Sequence, residues 1–254
     1  MMKTLRMTIG TRHALRATAA FLLAVTVGTR ALRAADAPKE QTPSPEAALG
    51  RYTEGGGAAG WPAEWVQIDA FVPKLAKEGR LSAIRRLVPS GQAKYQVLQL
   101  TGDGTVERQV IARYLTAEQQ ASVMPANSVA ITPANYKFEY KGVVVDRDRL
   151  AYTFRVTPRK KKAGLIKGEL WIDAETGLPL RQSGYLVKSP SIWIKRVGLT
   201  EDILVRDGLV EARFKRVTVD ARFIGRAELV IEERPLSSAG SESLTSLEEN
   251  EGRQ

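Results

Sequence analysis

Residues 168–181 read Gly168-Glu169-Leu170-Trp171-Ile172-Asp173-Ala174-Glu175-Thr176-Gly177-Leu178-Pro179-Leu180-Arg181, and their reading decides the fold. Leu170 and Ile172 flank Trp171 as in a strand, Thr176-Gly177 is a turn, and residues 180–187 run back as a second strand. Short alternating runs bounded by Gly and Pro are the mark of a β-hairpin.

The same period continues on both sides. Upstream, Tyr136, Phe138 and Tyr140 alternate with Lys137, Glu139 and Lys141, and Tyr152, Phe154 and Val156 alternate with Thr153 and Arg155. Downstream, Ile192 and Ile194 flank Trp193, residues 203–205 run into Asp207-Gly208, residues 210–219 come back, and Ala227, Leu229 and Ile231 close the series. About six to eight short strands, with a turn roughly every eight to twelve residues, predict an antiparallel sheet, sandwich or barrel. Consecutive hairpins make a meander the simplest topology. Alternation leaves one face apolar and the other polar, and a large apolar face has to be covered. Part of it then lines a cavity, or a closed barrel fills itself with side chains; the pattern fits both.

Before this region the period is less regular. In residues 61–77, Trp65, Ile68, Val72 and Leu75 recur at spacings of three and four, which predicts an amphipathic helix. Pro62 suits its first turn, and Pro73 should kink or end it. Residues 81–88 and 95–100 read as strands. Thr101-Gly102-Asp103-Gly104 follows as a hairpin turn, because Asp-Gly between apolar runs favours one. Residues 106–115 fit either a helix face (Val110, Ile111, Tyr114, Leu115) or an alternating strand, and a strand followed by a short helical turn is the reading adopted.

The ends differ from the body. Residues 1–16 carry Lys3, Arg6, Arg12 and Arg16 and no acid, residues 17–28 (ATAAFLLAVTVG) are apolar, and small residues follow around Ala34, Ala35 and Ala37. That order predicts a secretory signal peptide over residues 1–35. Its apolar run is shorter than the roughly 20 residues a membrane span requires. Residues 36–60, rich in Pro, Gly, Ala and Glu, read as a flexible leader. The folded domain is expected over 61–235, and residues 236–254, polar and acidic, as a disordered tail. Six basic residues and no acid precede Asp36, so export lowers the formal net charge from +10 to +4. So modest a charge calls for no nucleic-acid partner and leaves room for anionic lipid head groups. With no cysteine there is neither a disulfide framework nor a Cys-borne lipid anchor. The expectation is a soluble, monomeric, periplasmic protein secreted across the inner membrane.

Little catalytic chemistry is available to it. The one histidine, His13, lies in the expected signal. A mature chain without His or Cys has no Ser-His-Asp or Cys-His mechanism and no histidine-ligated zinc. No metal site and no cofactor is expected. Asp146 with Asp148, and Asp173 with Glu175, are carboxylate pairs of the kind a glycosidase uses, but each sits at a turn, where such residues are common for local reasons. The densest charge run, Arg159-Lys160-Lys161-Lys162, lies in a hairpin loop and reads either as a docking site for an acidic partner or anionic lipid or as a solvated tip that discourages edge pairing. The aromatic ladder Tyr136, Phe138, Tyr152 and Phe154 lines a lipophilic cavity or forms core.

The stretch 168–181 resembles a strand–turn–strand signature of the LolA-like superfamily of periplasmic outer-membrane lipoprotein-sorting proteins: Trp-Ile-Asp, a Thr-Gly-Leu-Pro turn, then Arg on the return strand. Val205-Arg206-Asp207-Gly208 and Gly225-Arg226-Ala227-Glu228-Leu229 resemble that superfamily's last two hairpins. The resemblance covers residues 136–232. It implies an incomplete antiparallel barrel whose concave face is covered by helices around a cavity for acyl chains. It also implies a role in lipoprotein carriage, lipid transport or envelope sensing, with no covalent chemistry and no enzyme activity. On this reading Tyr136, Phe138, Tyr152, Phe154, Leu170, Ile172, Leu229 and Ile231 line the cavity, and Arg159, Lys160, Lys161 and Lys162 dock an envelope partner or anionic lipid surface. The alternatives are a sensor with a closed sheet and, further off, a hydrolase using Asp146, Asp148, Asp173 or Glu175.

Overall fold

A computed structural model describes residues 42–55, 60–222 and 225–236. The expected signal peptide, residues 36–41 and 56–59 of the expected leader, and residues 237–254 of the expected tail lie outside the described residues. Helix α1 (Pro45–Glu54) comes first. Strands β1 (Ala63–Val72), β2 (Lys77–Leu87) and β3 (Ala93–Gly102) follow. A helical stretch comes next: α2 (Gly104–Val106), a π-helical turn (Glu107–Ile111) and α3 (Ala112–Ser122), with α4 (Ala126–Val129) beyond it. The rest is β4 (Tyr136–Asp146), β5 (Arg149–Pro158), β6 (Ile166–Asp173), β7 (Pro179–Leu186), β8 (Ile194–Arg206), β9 (Leu209–Ala221) and β10 (Gly225–Pro235).

All ten strands form one antiparallel sheet in the order β3-β2-β1-β10-β9-β8-β7-β6-β5-β4. Strands β4 to β10 are the expected meander, and β1 pairs with β10 to add the first three strands at its side. Among the described residues the sheet does not close, and β3 and β4 are its two edges. Gly168 and Gly184 face each other across β6 and β7; a Cβ on Gly168 would lie 1.8 Å from the Ser183 carbonyl oxygen. Only glycine permits so close a backbone approach, a feature of tight bends in sheets.

Several local expectations are corrected. Residues 63–72 are a strand, not a helix: Glu64, Val66, Ile68, Ala70 and Val72 alternate as buried positions, and Pro73 opens a single 3-10 turn. Asp103-Gly104 is not a hairpin turn but a helix start. Asp103 Oδ1 accepts from the Thr105 backbone N–H at 2.8 Å, the role of an N-cap. The stretch 106–115 is accordingly helical, with Val106, Val110 and Ile111 buried on one side. Residues 45–54, read as part of a flexible leader, form α1; Ser44 caps it through the Ala47 N–H and Pro45 occupies its first turn. Ile192 and Trp193 precede β8 rather than extending it.

The buried side chains fall into separate clusters. One joins Ile68, Ala70, Leu81, Val217, Leu229 and Ile231 to Val106, Val110 and Ile111 of the helical stretch. A second joins Ala48 and Tyr52 of α1 to Tyr136, Tyr152, Phe154, Val156, Leu170 and Ile172. A third, smaller one holds Ala151, Leu180, Ile203 and Val205, with Trp171 packed against it. Burying a large aliphatic or aromatic side chain stabilises a fold by roughly 1.5–3 kcal/mol, so the first two clusters account for most of the apolar stabilisation. No helix among the described residues is long and apolar enough to cross a membrane.

Candidate functional site

The helices define one face of the sheet, the inner face, and the strand register shows its chemistry. Tyr140 pairs with Phe154, Phe154 with Leu170, Leu170 with Gln182, Gln182 with Glu201, Glu201 with Lys215, Lys215 with Ile231, Ile231 with Ile68, Ile68 with Leu81 and Leu81 with Leu100. This single row crosses all ten strands. It is apolar at both ends and polar in the middle.

The polar middle is half-buried, and beside it lie two buried carboxylates, each paired with a cation. Lys215 Nζ donates to Glu233 Oε1 at 2.7 Å, and Arg85 Nη1 donates to Glu64 Oε1 at 2.7 Å. Glu64 and Glu233 are almost fully buried. Burial by itself would lower the Lys215 pKa, but the carboxylates of Glu233, Glu201 and Glu118 outweigh it and hold the pKa above the ordinary lysine value. Burial raises the Glu64 pKa, and the like charge of Glu233 raises it further. Among the described residues, Glu64 Oε2 is buried without a hydrogen-bond partner. Tyr114 and Glu118 of α3 and Tyr95 of β3 belong to the same electrostatic group. Sequence reasoning missed this cluster, because its members are scattered from residue 64 to residue 233 and meet only through the sheet order.

On the β4 side the aromatic ladder is assembled. Phe138 meets Phe154 edge-on with ring centroids 6.4 Å apart, and Tyr140 lies 5.7 Å from Phe154 and 6.0 Å from Tyr152. Such pairs add about 0.5–1.5 kcal/mol to simple burial. Helix α1 sits over this region: the Tyr152 hydroxyl donates to the Pro43 carbonyl at 2.5 Å, and Tyr136 Oη accepts from the Ile166 N–H at 3.1 Å. Six of the eight residues read as cavity-lining (Tyr136, Phe138, Tyr152, Phe154, Leu170 and Ile172) therefore share one cluster. Leu229 and Ile231 lie in the other, beyond the charged middle.

Cover is incomplete toward both free edges. On β4 the inner-face side chains Tyr140, Val143 and Val145 are 44%, 49% and 72% exposed, with Leu150 of β5 beside them. On β3, Val97 and Leu100 are likewise exposed.

The carboxylate pairs do local work. Asp173 Oδ1 accepts from the N–H groups of Glu175 and Thr176 and from the Thr176 hydroxyl, and Asp173 Oδ2 accepts from Arg149 Nη1 at 3.1 Å. Burial pushes the Asp173 pKa up, but these donors outweigh it and hold it below the ordinary carboxylate range. Glu175 is exposed. Asp146 ends β4, and Asp148 has a left-handed backbone in the β4–β5 turn. The residues read as a docking site, Arg159, Lys160, Lys161 and Lys162, follow β5. Arg159, Lys160 and Lys161 line a cleft of about 350 Å³ with Lys167, Tyr185 and Val187.

No protein-family model and no curated protein matches the chain. Solved structures do. A LolA superfamily protein from Nitrosomonas europaea is 13% identical with a TM-score of 0.34, the match covering 76% of this chain and 93% of that one. A putative outer membrane lipoprotein-sorting protein domain from Vibrio parahaemolyticus is 9% identical with a TM-score of 0.37, covering 74% and 90%. MucB of Pseudomonas aeruginosa, solved in complex with MucA, is matched at 15% identity and a TM-score of 0.22, covering 78% and 95%.

Proposed function

We propose that the protein is an exported, periplasmic binding protein that holds a lipophilic group, the acyl chain of a lipoprotein or lipid, against the apolar inner face at the β4 edge. The observation that carries the reading is the run Tyr140, Val143, Val145 and Leu150: apolar side chains on the helix-covered face, continuous with a buried aromatic cluster, yet exposed. A bare apolar strip of this kind marks an interaction site. An acyl chain laid along it gains roughly 0.8 kcal/mol for each methylene removed from water, so it needs few polar contacts. The charged middle of the sheet bounds the strip, because burying Gln182, Glu201 or Lys215 beneath hydrocarbon leaves polar groups unsatisfied. Binding of this kind requires no covalent step, and the carboxylate of Asp173 is already engaged in its own turn.

Native mass spectrometry of protein isolated from the cell envelope tests the reading, together with titration of a fluorescent fatty acid. Co-purifying lipid and saturable binding are expected. Absence of both overturns it.

A further inference from the structure

One end of the sheet carries a surface different from the ligand strip. The β5–β6 and β7–β8 loops lie side by side there: Lys167 pairs with Tyr185, Ile166 with Leu186, and the Val187 N–H donates to the Leu165 carbonyl at 2.9 Å. Residues 159–168 and 185–200 together supply eight cations (Arg159, Lys160, Lys161, Lys162, Lys167, Lys188, Lys195 and Arg196) and not one carboxylate. Arg196 stacks on the Tyr185 ring, 4.7 Å from its centroid. Two large apolar side chains project from the same end, Ile192 at 73% and Trp193 at 51% exposure.

The projection is built in. Ser189 Oγ donates to the carbonyls of Ser191 at 2.9 Å and Ile194 at 2.5 Å, closing the β7–β8 loop on itself. The Arg222 N–H donates to the Trp193 carbonyl at 2.9 Å, tying the loop to the end of β9. Arg159 is likewise fixed, its Nε donating to the Pro133 carbonyl, so Lys160, Lys161 and Lys162 stand at the tip of their loop.

From this juxtaposition we infer that the β5–β6 and β7–β8 loops form a docking surface for an anionic phospholipid bilayer. Lysines on two loop stretches that carry no carboxylate match lipid phosphates, Asp220 opposite Arg196 on β9 being the one acid paired into the cluster among the described residues, and a basic cluster is drawn to the negative surface potential of such a membrane. Tryptophan settles at the head-group level, and a neighbouring aliphatic side chain enters the acyl boundary as apolar anchors of peripheral proteins do. The tryptophan and isoleucine held outward among the cations match the layering of a bilayer, head groups outside and acyl chains within. The surface lies apart from the β4-edge strip, so it does not depend on the ligand reading.

Co-sedimentation of the full chain with vesicles tests it. Binding is expected to vesicles of phosphatidylglycerol and phosphatidylcholine in equal parts, to be absent with phosphatidylcholine alone, and to weaken as salt is added. Each cation removed should weaken binding about fivefold, so K160Q/K161Q/K162Q should lose roughly a hundredfold. Trp193→Ala should weaken it further, while circular dichroism and fatty-acid binding of both variants stay unchanged. No sedimentation with anionic vesicles overturns the proposal, as does binding that the triple variant leaves intact. Binding of an acidic polypeptide such as polyglutamate, without vesicle binding, assigns the surface to a protein partner and also overturns it.

Discussion

A Cβ built on Gly177 would lie 2.6 Å from the Cβ of Arg51, so the Thr176-Gly177 turn and helix α1 touch with no room for a methyl group. The contact is reinforced by Arg51 Nη2, which donates to the Ala174 carbonyl at 2.8 Å. The turn that marks the hairpin in the sequence is thus also the seat of a helix that covers the aromatic cluster. Gly177 has φ +76, where an L side chain is strained in addition. Gly177→Ala should destabilise the protein by about 2–4 kcal/mol, combining backbone strain with overpacking. Gly208→Ala is the control: φ is +75 there, with open space around the Cβ, so only the strain of about 1–2 kcal/mol remains. Urea denaturation of the two variants measures the difference; equal losses would show that α1 is not seated on the turn.

Asp173 gives stability a pH dependence of known sign. Its folded pKa is held below the ordinary value, so the folded state favours the carboxylate. The resulting stability is fully present above the unfolded pKa and is lost as pH falls through the folded pKa. Asp173→Asn removes the Arg149 ion pair and should cost about 1–3 kcal/mol at neutral pH. The gap between the natural protein and the variant should close as pH falls below the ordinary carboxylate range. A gap that persists unchanged in thermal melts at the acid end would refute the assignment.

The pair Lys215–Glu233 should behave as a buried unit. Lys215→Met leaves Glu233, Glu64, Glu201 and Glu118 facing one another with one cation fewer, a loss of about 3–5 kcal/mol. Adding Glu233→Leu removes the carboxylate left behind and should recover part of that loss, because well-packed apolar replacements of buried ion pairs are often tolerated. Denaturant titration of the two single variants and the double closes the cycle, and strictly additive losses would show that the two side chains are not coupled.

What was legible in the sequence depended on whether alternation came with clean chemistry. Residues 136–141 and 152–156 alternate apolar with polar, and the Thr176-Gly177 turn marks the hairpin of 166–186, so these strands are readable directly. Strand β1 reads as a helix because its buried row includes Glu64 and Ala70 while Trp65 and Phe71 lie on the opposite side, so apolar residues recur at helical spacing by accident. Asp103-Gly104 reads as a hairpin turn because Asp serves both a hairpin and an N-cap; the apolar spacing i, i+4, i+5 of Val106, Val110 and Ile111, all buried on one side of the helix, separates the two. Helix α1 carried one usable sign, Ser44-Pro45, on an otherwise weakly apolar segment. The charged middle of the inner face had no local sign, since Glu64, Lys215 and Glu233 are adjacent only once β1 pairs with β10.

The inner-face strip can be separated from the core by substitution. Val143 and Val145 are about half and nearly three-quarters exposed, so Val143→Asp and Val145→Asp should alter stability by about 0.5 kcal/mol or less. Their carboxylates would stand in the path of an acyl chain and should lower fluorescent fatty-acid affinity at least tenfold, since hydrocarbon cannot satisfy a charge. Phe154, 3% exposed, is core: Phe154→Ala should cost about 3–5 kcal/mol and weaken binding through the ladder it supports. Leu229→Ala should cost about 2–5 kcal/mol but leave fatty-acid affinity unchanged, because Leu229 lies in the cluster beyond Gln182, Glu201 and Lys215. If Leu229→Ala instead weakens binding as much as Val143→Asp while the protein stays folded, the ligand crosses the charged middle and the whole inner face is one site.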